Sequence, residues 1–456
     1  MEDSSMSQLL SSVLFLTMLL TTSAIPAASA LTLRADLTHV DSGRGFTRWE
    51  LASRMVARSR ARAASLRHRG GAGNYYGQHP TTAPVAPGTV RHADTEYLIH
   101  FGIGTPRPHQ VALTLDTGSD LVWTQCTPCL RCFAQPSPPF DPYASKTLYN
   151  VPCSDPSCAN FTRTACLKES HLCLYVYGYG DGSITVGKVV RDTFTFKAPN
   201  GGTAVVVPNL SFGCGFDDTG LFNTNESGIA GFGRGPRSLP SQLKVGKFSH
   251  CFTSMLDDPS KSSPVFLGGT QDDLIRAHAT GPVQSTPMPP HGNSTFYYLS
   301  FKGITVGKTR LPVDESVFAF KGDGTGGTFI DSGTGLTSFP TAVFDQLATA
   351  FKTQIRLPVV DASEVGGRLC FSLPDGTDEK KVPVPKLVFH FAGADMDLPR
   401  ENYFYVYEAD AFMCLMILDA EGDTTTIGNF QQQNMHIVYD VHNNKLLFAP
   451  AQCDKL

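Results

Sequence analysis

VALTLDTGSDLVW, residues 111–123, and GTFIDSGTGLTSF, residues 327–339, are one pattern written twice. In each, an apolar strand-forming run meets Asp, a short hydroxyl residue, Gly and a second hydroxyl residue, and apolar residues then resume. From ordinary residue usage an Asp-(Ser/Thr)-Gly triplet is expected roughly 0.2 times in a chain this long. One copy alone reads as a surface turn. Two copies, each behind a β-rich run, do not. Asp116 and Asp331 lie 215 positions apart, which fits two related lobes that each offer one carboxylate.

Two carboxyls about 3 Å apart cannot both ionise, so they hold one proton between them. The ionised member takes a proton from water while the protonated one donates to a carbonyl oxygen. A peptide bond is then hydrolysed without metal, cofactor or covalent intermediate. The pair titrates as a unit. The hydroxyls of Thr117 and Ser119, and of Ser332 and Thr334, are expected to hydrogen-bond and orient the carboxyls. Gly118 and Gly333 lack a Cβ and let the two loops approach closely.

The remaining sequence reads as mainly β. Of 456 residues 42 are Gly and 31 are Pro, with 30 Phe against 2 Trp, a profile of strands bounded by turns. Strand candidates recur at 111–115, 174–179, 193–196, 204–207, 296–306 and 386–391, while 342–355 is the best helix candidate. Tyr175, Tyr177 and Tyr179 alternate like one face of a strand, and Tyr179 stands before a Gly180-Asp-Gly-Ser hairpin turn. The body divides into lobes at 93–280 and 281–456.

Ahead of it lie two further segments. Residues 9–20 are apolar and lead to Ala28-Ser29-Ala30, the shape of a signal peptide over 1–30. Glu2 and Asp3 replace the usual basic flank, and the run is short for a membrane span. Residues 31–92 hold ten arginines against Asp36, Asp41 and Glu50, a net of +7. The first thirty residues carry −2, so the total of −4 leaves −9 on 93–456. Residues 47–69 suggest an amphipathic helix with Trp49, Leu51, Met55 and Val56 on its apolar stripe, and 70–92 a Gly/Pro/Thr linker. An acidic body repels phosphates, which argues against nucleic-acid binding. A basic leader tethered to it suggests an inhibitory prosegment whose ion pairs weaken in acid, with maturation between 70 and 95. The plainer readings are a solvated charged helix or part of a transit peptide.

EYLIHFGIGTP, DTGSDLVW, YGDGS, FIDSGT and TIGNFQQQNMHIVYD together resemble the pepsin family of aspartic proteases, in order and at family-like intervals. The cysteine-rich stretch from Cys126 to Cys173 resembles its plant nepenthesin-like (nucellin-like) branch. The resemblance covers about 93–456 and implies a bilobal all-β fold whose cleft binds an extended peptide. It also implies Asp116 and Asp331 as catalytic, Tyr179 and Gly180 as the flap over the substrate, and Trp123 as a support beside Asp116. Ile229-Ala230-Gly231 and Ile427-Gly428 match the apolar-Gly elements packed behind each active-site loop. Relatives of this branch include non-catalytic inhibitors of xylanases, so a binding protein on the same fold is the competing reading.

All twelve cysteines fall between 126 and 453, which points to disulfides in an oxidising compartment rather than a zinc site. The resemblance pairs Cys370 with Cys414 and suits Cys251 with Cys453; the eight from Cys126 to Cys214 pair among themselves. Asn160, Asn209, Asn225 and Asn293 open N-glycosylation sequons. These features suggest a secreted, apoplastic monomer that meets protein or peptide substrates and its own prosegment, with vacuole or plastid as alternative destinations.

Overall fold

The computed structural model describes residues 32–69, 97–159, 164–167, 169–179, 182–198, 202–222, 225–255, 261–269, 271–321, 325–361, 368–374, 382–407 and 411–456, without the side chains of Arg48 and residues 65–69. The signal segment, the linker with its maturation bond, Gly180 and Asn160 lie outside them.

The strand candidates overlap strands His109–Asp116, Leu172–Gly178, Ile184–Phe196, Val205–Thr219 and Leu387–Phe391, with 174–179, 204–207 and 386–391 each running one residue past its strand. The 296–306 run divides into Tyr297–Leu299 and Phe301–Val306, and the helix candidate is Thr341–Gln354. The internal repeat is topological as well as sequential. His109–Asp116 runs parallel to Gly228–Gly231, which is antiparallel to Val122–Gln125. In the second half Thr328–Ile330 runs parallel to Thr425–Ile427, which is antiparallel to Thr337–Phe339. Each aspartate thus leaves a strand beside a parallel neighbour, on a loop threaded between two strands.

A long sheet connects the halves. Met435–Asp440 and Lys445–Pro450, from the C-terminal end, pair with each other, and Met435–Asp440 pairs with Lys247–Cys251. Met435–Asp440 therefore crosses the boundary drawn at residue 280 to join an N-terminal partner, while Lys445–Pro450 pairs with Met435–Asp440 and Gln284–Pro287.

The leader contributes a strand that the sequence reading left out. Thr32–His39 inserts between Ser263–Gly268 and Tyr97–Ile103, antiparallel to both. Its alternation explains this: Leu33, Ala35 and Leu37 are fully buried on one face, and each leucine contributes roughly 2 kcal/mol by leaving water. The helix Arg48–Arg69 follows. Ala52, Met55 and Val56 pack against Met255, Leu336, Tyr405, Tyr407 and the Cys370–Cys414 bridge. Trp49 lies edge-on to Tyr407 and Phe412.

The expected ion pairs between leader and acidic cleft are joined by a pair inside the leader itself. Arg54 and Arg58 pair with Asp41 of the leader itself, at 3.1 and 2.9 Å, and the Arg58 and Asp41 side chains are fully buried. Burial works to raise the Asp41 carboxyl, but Arg58, His39 and Arg54 outweigh it and hold it below its ordinary value. Apolar packing, sheet pairing and this internal ion pair seat the leader, Arg34 donates to Leu456 O, and Arg62 reaches towards the body's two repeated aspartates.

Candidate active site

Asp116 closes its strand and Asp331 follows Ile330, and both side chains are buried. Their backbones are fixed by the elements behind them: Phe232 N donates to Asp116 O at 2.7 Å and Asp331 N to Ile427 O at 3.0 Å. One nitrogen, Nη2 of Arg62 on the leader helix, lies 3.4 Å from Asp116 Oδ1 and 3.0 Å from Asp331 Oδ2. The two carboxyls therefore open into a single site. Gly118 N donates to Asp116 Oδ1 at 3.0 Å and Gly333 N to Asp331 Oδ1 at 2.9 Å. A Cβ on Gly333 would stand 2.2 Å from Asp116 Oδ1, and one on Gly118 would stand 2.9 Å from both Asp331 oxygens. No side chain fits at either position without displacing a carboxyl.

The hydroxyls divide their work differently from the expectation. Thr334 Oγ1 donates to Asp331 Oδ2 at 2.8 Å. Ser119 lies near enough to Asp116 to favour its ionised form, yet its Oγ makes no hydrogen bond of normal geometry among the described residues. Thr117 and Ser332 do not orient carboxyls at all. Thr117 N donates to Ser332 Oγ at 3.1 Å, Ser332 N to Thr117 Oγ1 at 2.9 Å, and Ser332 Oγ to Leu115 O at 2.8 Å. Each hydroxyl binds the backbone of the opposite loop, because the close approach brings that backbone nearer than the hydroxyl's own carboxyl. The correction matters for mechanism: these two residues lock the loops together.

Electrostatics follow from burial. Desolvation pushes the Asp116 carboxyl up, Arg62 opposes it, and the Asp331 charge adds to the upward push.

Tyr179 ends the first strand of a hairpin formed by Leu172–Gly178 and Ile184–Phe196, and its N donates to Ser183 O at 2.8 Å across the turn. The Trp123 indole N–H donates to the Tyr179 hydroxyl at 2.7 Å. Trp123 thus supports Tyr179, where a support for Asp116 was expected. Burial, with Tyr177 and Asp116 nearby, keeps the Tyr179 phenol protonated far above its ordinary range. Phe222, 5.2 Å from Trp123 and 4.8 Å from Phe133 between ring centres, completes an aromatic wall that the sequence reading did not single out.

Two family models, described as xylanase inhibitor N-terminal and xylanase inhibitor C-terminal, match residues 97–269 and 296–450. Aspartic proteinase nepenthesin-1 of Nepenthes gracilis is 40% identical over 91% of this chain and 89% of its own length. Nepenthesin-2 of the same plant is 39% identical over 92% and 90%. The chain belongs to the pepsin-like aspartic protease family. Within it, this is an aspartic-type endopeptidase of the nepenthesin-like branch. The crystal structure of edgp, at 20% identity, TM-score 0.63 and coverage of 78% of this chain and 94% of that one, speaks for the fold alone.

Against this family frame, Arg62 is the residue that sequence reasoning missed. It is one of ten arginines in residues 31–92, and only the four-residue spacing of Arg54, Arg58 and Arg62 along one helix face hints at a directed role. Its helix is pinned to the second active-site loop, since Leu336 N donates to Ser59 Oγ at 2.7 Å. The cysteines form six bridges, 126–214, 129–132, 153–166, 158–173, 251–453 and 370–414, which removes thiolates from metal binding. Asn209 and Asn293 are exposed. Asn225 is engaged instead: its Nδ2, the atom a glycan would occupy, donates to Val40 O of the leader at 2.7 Å, so this sequon is closed in the leader-bound protein. Among the described residues, no helix is long and apolar enough to cross a membrane.

Proposed function

We propose that this protease is made as a secretory precursor kept inactive by its own leader, and that its processed form cuts protein chains at acidic pH between bulky apolar residues. The observation that carries the reading is the Arg62 contact. A guanidinium nitrogen within reach of both Asp116 and Asp331 occupies the position that an attacking water and a scissile carbonyl need. While it is there, its charge opposes the desolvation that raises the Asp116 carboxyl, and its nitrogen fills the space between the two aspartates.

With the leader removed, the dyad holds one proton. The ionised aspartate draws a proton from a bound water as it attacks, and the protonated one donates to the carbonyl oxygen of the tetrahedral species. The Gly118 and Gly333 amides hold the inner oxygens still, and the Thr117–Ser332 grip keeps the loops from separating. Loss of the shared proton above mildly acidic pH ends activity. The aromatic wall of Tyr179, Trp123, Phe133 and Phe222 supports a preference for large apolar side chains beside the cut bond.

The names of the matching family models favour one other reading, a non-catalytic binding protein on the same fold. Both are tested by assaying purified precursor and processed protein on an unfolded protein from pH 3 to 8. The expected result is cleavage by the processed form with an acidic optimum, and by the precursor only after acidification has shortened it from the N-terminal side. Folded, processed protein that cuts nothing at any pH would support the binding reading. Equal activity of both forms at neutral and acid pH would remove the inhibitory leader.

A further inference from the structure

Behind the flap, a carboxylic acid is sealed in close to the hairpin's turn. Asp218 lies on Val205–Thr219, in register with Thr185 of the second flap strand, and Thr185 in turn is in register with Tyr177 of the first. Thr185 Oγ1 donates to Asp218 Oδ1 at 2.6 Å, and the Tyr175 hydroxyl lies 2.8 Å from Thr185 Oγ1. Asp218 is 3% exposed and Tyr175 and Thr185 fully buried. Three side chains from three adjacent strands thus form one line across the hairpin near its turn. They have no slack: a Cβ on Gly215 would stand 2.6 Å from the Asp218 carboxyl, and one on Gly213 would stand 2.5 Å from the Tyr175 ring. Tyr175 packs in the same apolar cluster as Tyr179 and Trp123.

The charged groups around Asp218 do not neutralise it. Asp217 is its chain neighbour, and the Arg131 guanidinium is engaged by Asp217 in two bonds of 2.8 and 2.7 Å. Arg131 meets Asp218 through its backbone, accepting from Asp218 N at 2.7 Å. Tyr175 contributes a hydroxyl, and Cys132, with Sγ 3.9 Å from Asp218 Oδ2, is oxidised to Cys129.

We infer that Asp218 is a positioning residue for the flap, a carboxyl whose neutral form ties the hairpin to the neighbouring strand and whose ionised form releases it. Neutral, it accepts from Thr185 and tolerates the apolar cluster. Ionised, it needs more donors than the line supplies, and hydration requires the strands to part. Burial pushes its pKa up to about 7, with Thr185 opposing and Asp217 adding. The sign is that of an acid whose folded value lies above its free value. The tie is complete below the ordinary carboxylate range and is lost as pH rises from about 4 through about 7. Each unit of difference is tenfold, so the opening constant changes by about three orders of magnitude across that window. The flap would be held down in acid and loosened near neutrality, independently of the dyad.

The inference rests on reading this hairpin as the flap of a protease, so its test avoids catalysis. Trp49 and Trp123 are the two tryptophans. In the full chain carrying Trp49→Phe and Asp331→Asn, which leaves Trp123 as reporter and prevents self-cleavage, emission and acrylamide quenching are followed from pH 5 to 9. A transition with a midpoint near 7 is expected, absent in the same chain with added Asp218→Asn. Thr185→Val, which removes the donor that favours the ionised carboxyl, should move the midpoint upward and covers the case in which Asp218→Asn does not fold. No transition in the parent, an unchanged one in Asp218→Asn, or an unmoved or lowered midpoint in Thr185→Val would each overturn it. A protein that never cleaves a substrate but shows the Asp218-dependent transition would sink the protease reading and leave the tie standing.

Discussion

Asp116→Asn and Asp331→Asn are each expected to lower the rate of protein cleavage at pH 3–5 by at least about a thousandfold, while leaving the fold intact. An amide is isosteric with the neutral carboxyl, so the backbone amides of Gly118 and Gly333 and the hydroxyl of Thr334 keep an acceptor. What is lost is the shared proton. Neither variant can hold one acid and one base across the site, so the two losses should be similar and the double variant little worse than either. The check is kcat/KM on a quenched peptide beside thermal unfolding of each variant. Loss of activity with an unchanged unfolding temperature is the expected pair of results.

Arg62→Gln should unmask the precursor. The wild-type cation is buried between two carboxyls, and removing it leaves those carboxyls to share a proton at once. The leader strand, the apolar face of the helix and the Arg58–Asp41 pair remain, so the leader stays seated but no longer places a cation between the two carboxyls. Self-processing is expected to begin about one pH unit or more above the wild-type threshold. The measurement is the pH at which half of the precursor is shortened in a fixed time, read on a gel. Arg60→Gln, on nearly the opposite face of the same helix, serves as the comparison and should leave the threshold in place.

Much of this was legible before any coordinates. The two Asp-(Thr/Ser)-Gly triplets identify the carboxyls because the chemistry needs an acid at the end of a strand and a glycine beside it, requirements written in local sequence. Tyr179 stands out for a similar reason, as the last bulky residue before a glycine-rich turn. Other features depend on which segments meet. Thr117 and Ser332 sit where carboxyl-orienting hydroxyls would sit, and only the distance between loops decides that each bonds the other's backbone. Leu33, Ala35 and Leu37 alternate visibly, but an eight-residue alternation inside an arginine-rich leader does not say that a gap in the body's sheet awaits it. Arg62 looks like Arg54 and Arg58, and what separates them is the height of the helix above the dyad. Asp218 is an ordinary acid in sequence; its burial under three strands makes it unusual.

The central claim is that Asp116 and Asp331 form one acid–base unit that Arg62 covers in the precursor. Calorimetric titration with a statine-type peptide, whose hydroxyl mimics the attacking water, tests it most directly. At pH 5, one molecule should bind per processed protease, with proton exchange in the heat signal, and none should bind to an unprocessed precursor held latent at pH 7. Tight binding to that latent precursor, or undiminished binding to a processed form carrying both Asp116→Asn and Asp331→Asn, would contradict it.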